Sequence, residues 1–189
     1  MVAKAESVGS EGGVKVVEFY KDYSPPFNAC KAVRRLLEYV PEKYLKGLRV
    51  VTLTNSQVTR SMRKGRTRWR GQKVRRAACN GFYSAGQITL IIDNIFRGGP
   101  NYELRLLPFV GTFLIGEVLY HEIGHHIHRT HRPDRRDKEF LADEWGDKLL
   151  RSYLDKRYWY VKPLAVPYML LIRPLLTWLQ GRGEKKGDG

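Results

Sequence analysis

Three residues in the segment Tyr120-His121-Glu122-Ile123-Gly124-His125-His126 have the types and spacing to activate water. On a helix, residues four apart share a face, so His121 and His125 can direct both imidazoles at one metal ion. Glu122 follows the first histidine, where its carboxylate can reach a metal-bound water without occupying the metal. The chemistry implied is hydrolysis by a metal-activated water. Its setting is apolar: Phe113, Leu114, Ile115, Val118, Leu119, Ile123 and Ile127 recur at helical spacing. Unpaired polar groups in a buried helix cost about 1–3 kcal/mol each, and a metal supplies the missing partner. His126 and His128 read instead as surface histidines near the helix end.

A catalytic zinc site commonly takes three protein ligands and leaves one position open. Two residues are candidates for the third. His131 completes a histidine six residues after His125, but the metzincin signature also needs glycine three residues after the second histidine. His128 stands there, and it resists a left-handed turn. Glu139 lies on an amphipathic segment, Lys138 to Leu150, whose apolar residues are Phe140, Leu141, Trp145, Leu149 and Leu150. Glu139 and Asp143 are four apart on one face, and small Ala142 and Gly146 permit close packing. This context favours Glu139 as ligand, with Asp143 accepting a hydrogen bond from a ligand histidine and fixing its tautomer.

His-Glu-x-x-His followed by a helix with Glu139-x-x-Ala142-Asp143-x-Trp145 resembles the gluzincin pattern. It is most similar to the ImmA/IrrE-type metallopeptidases, over residues 48 to 150. The resemblance implies a zincin-like minimal domain with a strand ahead of the first metal helix and a glutamate ligand on the second. It also implies a zinc-dependent metallopeptidase that hydrolyses peptide bonds of a protein or peptide substrate, with Glu122 as general base. Two departures stand out. The gap from His125 to Glu139 is short for that family, and both terminal segments lie outside the likeness.

These residues need a scaffold, and the sequence supplies one. Asn28 to Val40 carries a helical apolar stripe closed by Pro41, and Leu48 to Thr54 is a β-rich run that reads as a central strand. Asn80 to Asp93 reads as a hairpin whose second arm, Ile88 to Ile92, would be the edge strand that receives substrate. Arg97 to Asn101 is a break. The plan is α+β, a small twisted sheet with packed helices. A single domain is expected over residues 14–157, after a flexible leader at 1–13 that lacks the apolar core of a secretory signal. Cys30 and Cys79 lack paired spacing, so they read as buried apolar residues in a cytoplasmic, reducing setting.

The chain of 189 residues has 34 Lys and Arg against 19 Asp and Glu, a net charge of +15. Much of the excess falls in a basic insertion at residues 57–78, where positions 60–76 hold nine basic residues and no acid. Arg66, Arg68 and Arg70 with Trp69 suit nucleic-acid phosphates and a stacked base; a solvated loop that attracts acidic partners is the plainer alternative. This leaves a second functional class, a nucleic-acid-binding protein with a structural or degenerate zinc site. Residues 158–189 form an apolar segment with a polar tail. Pro163, Pro167 and Pro174 break it, so no transmembrane span is expected, although Trp159 and Trp178 beside basic residues suit peripheral membrane contact.

Overall fold

The structure, a computed structural model, describes residues 4–7, 13–61, 66–69, 72–75, 79–97, 108–131 and 137–159. Seven strands and six helices follow one another along the described residues. They are β1 (Lys4–Ser7), β2 (Lys15–Phe19), α1 (Ala29–Glu38), α2 (Glu42–Leu45), β3 (Val50–Thr54), α3 (Ser56–Ser61), β4 (Arg66–Trp69), β5 (Gln72–Arg75), β6 (Gly81–Ser84), β7 (Gln87–Ile91), α4 (Ile92–Phe96), α5 (Pro108–His131) and α6 (Lys138–Arg157). The fold is α+β. Its main sheet has the order β1-β2-β3-β7-β6, while β4 and β5 pair separately. Strands β2, β3 and β7 are parallel; β1 and β6 run antiparallel at the two edges.

Local chemistry explains the boundaries. The Asn28 carboxamide caps α1 by accepting from the Lys31 N–H at 2.8 Å. Ala85 (φ 48°) and Gly86 (φ 79°) form the two-residue turn of the β6–β7 hairpin, and two positive φ values match the right-handed strand twist. A Cβ at Gly86 would lie 2.6 Å from the Gly47 carbonyl oxygen, so the turn docks directly on the Gly47–Arg49 segment. The Arg49 N–H donates to the Gly86 carbonyl there at 2.8 Å. Helix α5 starts at Pro108, earlier than the apolar stripe alone indicates, because proline is tolerated in a first helical turn.

Three expectations need correction. Ile88 to Ile92 is not the edge strand. Ile88, Leu90 and Ile91 are fully buried in β7, which runs between β3 and β6, and Ile92 already begins α4. An apolar run buried on both faces is the mark of an interior strand, so the edge beyond β7 falls to β6. Residues 4–7 of the expected leader form β1, because backbone pairing to β2 needs no apolar side chains. The segment expected as a basic insertion opens in a helix and not in a loop: Ser56–Ser61 is α3, with Val58 in the core.

Helices α1 and α5 pack on one another, α1 against β2 and α5 against β6 and β7. Fully buried Leu36, Val51, Leu53, Ile88, Leu90, Ile115, Leu119 and Ile123 join the layers. The buried Tyr120 hydroxyl donates to the Leu36 carbonyl at 2.9 Å and ties α5 to α1. The chain divides into two compact units, residues 1–151 and 152–189, with the boundary inside α6. Of the second unit the structure describes residues 152–159, where the Tyr158 N–H donates to the Leu154 carbonyl at 2.8 Å. Most of the C-terminal apolar segment thus lies outside the described residues. Among those described, no helix is long and apolar enough to cross a membrane.

Candidate metal centre

The site is built where two faces of α5 meet two different neighbours. Val118, Glu122 and His126, spaced by four, run along β6; His121, Gly124 and His125 run along α6. Small residues set the helix–helix distance. A Cβ on Gly124 would lie 2.6 Å from the Ala142 carbonyl oxygen, and one on Gly146 would lie 3.2 Å from the His121 nitrogen. This seam brings the first turn of α6 over the histidines. Close packing through Ala142 and Gly146 is thereby borne out.

His121, His125 and Glu139 come together with one ligand atom from each lying within 4.8 Å of the others, the metal-capable group among the described residues. Each Nε2 stands 3.8 Å from Glu139 Oε2. Zinc bonds of about 2.0–2.1 Å in a tetrahedron set ligand atoms about 3.3 Å apart, so a cluster spread over up to 4.8 Å has to contract by side-chain rotation to close on the ion. The side chains of His121, His125 and Glu139 are 20%, 21% and 36% exposed, which leaves the cluster open on one side.

His121 carries the strongest sign of a missing partner. Its Nδ1 lies 2.8 Å from Asp143 Oδ1, so the ring proton sits on Nδ1 and the Nε2 lone pair is free. That Nε2 is buried and has no hydrogen-bond partner. A divalent cation satisfies it, and two imidazoles with one carboxylate form a donor set suited to zinc. The residues present therefore fit a metal ion.

Glu122 lies beside the cluster with 5% exposure. Burial, reinforced by the Glu139 carboxylate, pushes its pKa up to about 8, while a hydrogen bond from the Tyr83 backbone N–H pulls the other way. Burial and then the neighbouring His121 and His128 rings lower His125 to about 4, which keeps it a neutral donor. Cys79 is buried nearby; burial and then the Glu122 carboxylate push its thiol up.

The structure reassigns the remaining histidines. His126 and His128 are buried, not surface residues, with 1% and 5% exposure. His126 Nδ1 lies 3.1 Å from the Tyr83 hydroxyl and its Nε2 3.1 Å from the Lys46 carbonyl oxygen, so Nε2 carries the proton and Nδ1 accepts from the phenol. The Gly86 N–H donates in turn to that phenol oxygen at 3.1 Å. This chain of bonds fixes β6 against α5, and it commits both Tyr83 and His126 to structure. The clue in the sequence was the spacing of Glu122 and His126, which puts both on the β6 side. His131 is not a third ligand. Helix α5 continues through it, six residues past His125 and off the metal face, and its ring is exposed beside Thr130 and Tyr44.

Arg66, Arg68 and Trp69 lie in β4, and Arg70 falls outside the described residues. Comparison of the chain with family models, curated proteins and solved structures gives no match. The likeness to ImmA/IrrE-type enzymes rests on the residues of α5 and α6 alone.

Proposed function

We propose that the protein is a zinc-dependent metallopeptidase. The observation that carries this reading is the convergence of His121, His125 and Glu139 beside a buried Glu122. When bound, zinc supplies Lewis acidity to a water and to the scissile carbonyl. His121 and His125 present neutral nitrogens to it, and Asp143 holds the His121 ring by its Nδ1 proton. A divalent cation also favours the Glu122 carboxylate over its acid. Glu122 then takes a proton from water and later returns it to the leaving amine.

The β6 edge suits an extended peptide. In a hairpin closed by two residues, Ser84 and Gln87 form the hydrogen-bonded pair, and alternation turns the backbone groups of Tyr83 and Gly81 outward. The Tyr83 N–H is held by Glu122, which leaves the Tyr83 carbonyl and both polar groups of Gly81 for an added strand.

The test is metal analysis and a peptidase assay on the purified protein and Glu122→Gln. About one zinc per chain in both is expected, with hydrolysis in the variant reduced at least about a hundredfold. A wild-type chain that purifies and reconstitutes without zinc would defeat this reading. Equal hydrolysis by Glu122→Gln would remove Glu122 from the role of base.

A further inference from the structure

We infer that the β4–β5 ribbon docks on duplex DNA through one cationic face. Its antiparallel register pairs Arg66 with Arg75, Thr67 with Val74, Arg68 with Lys73 and Trp69 with Gln72. Opposed residues of an antiparallel pair share a face, and successive residues alternate. The register therefore places positions 66, 68, 73 and 75, three arginines and a lysine, on one face of the ribbon. Positions 67, 69, 72 and 74, all uncharged, fall on the other. Charged and neutral residues that interleave along the sequence are thus sorted completely by the fold. Trp69 sits opposite the cationic face, so docking rests on phosphate contacts and not on a base stacked among the arginines.

A two-stranded sheet is marginal by itself, and like charges placed directly opposite one another weaken it further. A polyanion removes that repulsion. Positions two apart on a strand are about 6.6–6.8 Å apart, so the face offers two short rows of cations, matched to a linear array of phosphates. A B-form major groove, about 12 Å wide, admits a two-stranded ribbon, whereas the A-form groove of RNA is too narrow. Lipid surfaces favour apolar residues among the cations, and this face has none. The net charge of +15 adds long-range attraction.

The experiment measures binding of a fluorescent DNA duplex of about 20 base pairs to the full chain between about 50 and 200 mM salt. Changing Arg66→Gln, Arg68→Gln, Lys73→Gln and Arg75→Gln together is expected to weaken binding at least about tenfold and to flatten the log–log salt slope by up to about 3.6. A control with the same charge loss elsewhere (Lys31→Gln, Lys43→Gln, Arg129→Gln and Arg151→Gln) should stay within about threefold of wild type. Circular dichroism checks that both variants keep their fold. Hydrogen exchange on the wild-type chain gives a readout independent of any variant: amides of residues 66–75 should gain protection when the duplex is added. Equal losses in the two variants, or no added protection, would overturn the docking face. Binding as tight to an RNA duplex or to phosphatidylserine vesicles would overturn DNA as its partner.

Discussion

Among the described residues, two polar clusters are finished to different degrees. One follows the carboxyl ends of β3 and β7. There Asp93 accepts from the Ser56 N–H at 2.7 Å, the Ser56 hydroxyl at 2.5 Å and Arg97 at 3.2 Å. Asn55 beside it donates to the Lys21 carbonyl at 2.7 Å and accepts from the Lys21 N–H at 3.1 Å. Asn55, Ser56, Asp93 and Arg97 line a cleft of about 570 Å³, yet these hydrogen bonds occupy their polar groups. The other cluster surrounds His121. Its buried Nε2 has no hydrogen-bond partner, Glu122 is pushed toward its neutral acid, and His125 toward its neutral base. A network that satisfies itself is structure; one that leaves a buried lone pair without a partner could hold a metal ion.

Removing the centre of each cluster should separate these roles. His121→Ala with His125→Ala should abolish zinc uptake and the stabilisation zinc brings, about 4 kcal/mol at a thousandfold excess over Kd. Thermal melting with and without zinc measures it. Asp93→Ala should do the reverse. It strands the Ser56 N–H and hydroxyl, costs about 2–3 kcal/mol, and leaves the zinc-induced shift intact. A zinc shift that disappears in Asp93→Ala would erase the contrast between the clusters.

The pH dependence of the metal-free protein sharpens the same contrast. Between about 4.5 and 8 the folded state keeps a proton on Glu122 that the unfolded chain has released, so stability falls as pH rises. Between about 4 and 6.5 the unfolded chain holds a proton on His125 that the folded state lacks, so stability rises with pH. The lowered pKa of His126, caused mainly by burial, acts in the same sense as His125. From about 4.5 to 6.5 the two slopes oppose each other. Above 6.5 the Glu122 loss remains, at most about 1.4 kcal/mol per pH unit up to 8; Glu117, raised mainly by burial, acts in the same sense. Urea denaturation of the chelated protein at pH 6.5 and 8 should show this fall, and Glu122→Gln should flatten it. A fall of the same size in Glu122→Gln would assign it to another group.

What the sequence revealed follows from the range of the interactions involved. Helical spacing is local, so the pairing of His121 with His125, the face shared by Glu139 and Asp143, and the small residues of the seam were all readable. The α+β plan and the interior β3 were readable for the same reason. Sheet order is not local. Which arm of the hairpin lies at the edge depends on β3, more than thirty residues earlier, pairing with β7. His126 was misread because its partners, Tyr83 and Lys46, reach it from distant strands and loops. The sorting of charge on the ribbon depends on register, which residues 60–76 do not declare as a string.

The finest test of the unfinished cluster concerns Asp143. Its carboxylate is 60% exposed and bonds the His121 ring at Nδ1, while its charge also reaches His125. Two contributions can be separated there. The acceptor oxygen fixes the tautomer that frees Nε2, and the negative charge makes the ring a better donor. Asparagine keeps an acceptor but loses the charge, and solvent screens much of that charge at an exposed position. Asp143→Asn should therefore weaken zinc binding only about threefold in a competition titration with a chromophoric chelator. Asp143→Ala, which also frees the ring to turn and change tautomer, should weaken it about tenfold or more. Equal losses in the two variants would mean that charge, not ring orientation, is what Asp143 contributes; wild-type affinity in both would show that packing across the Gly146 seam holds His121 unaided.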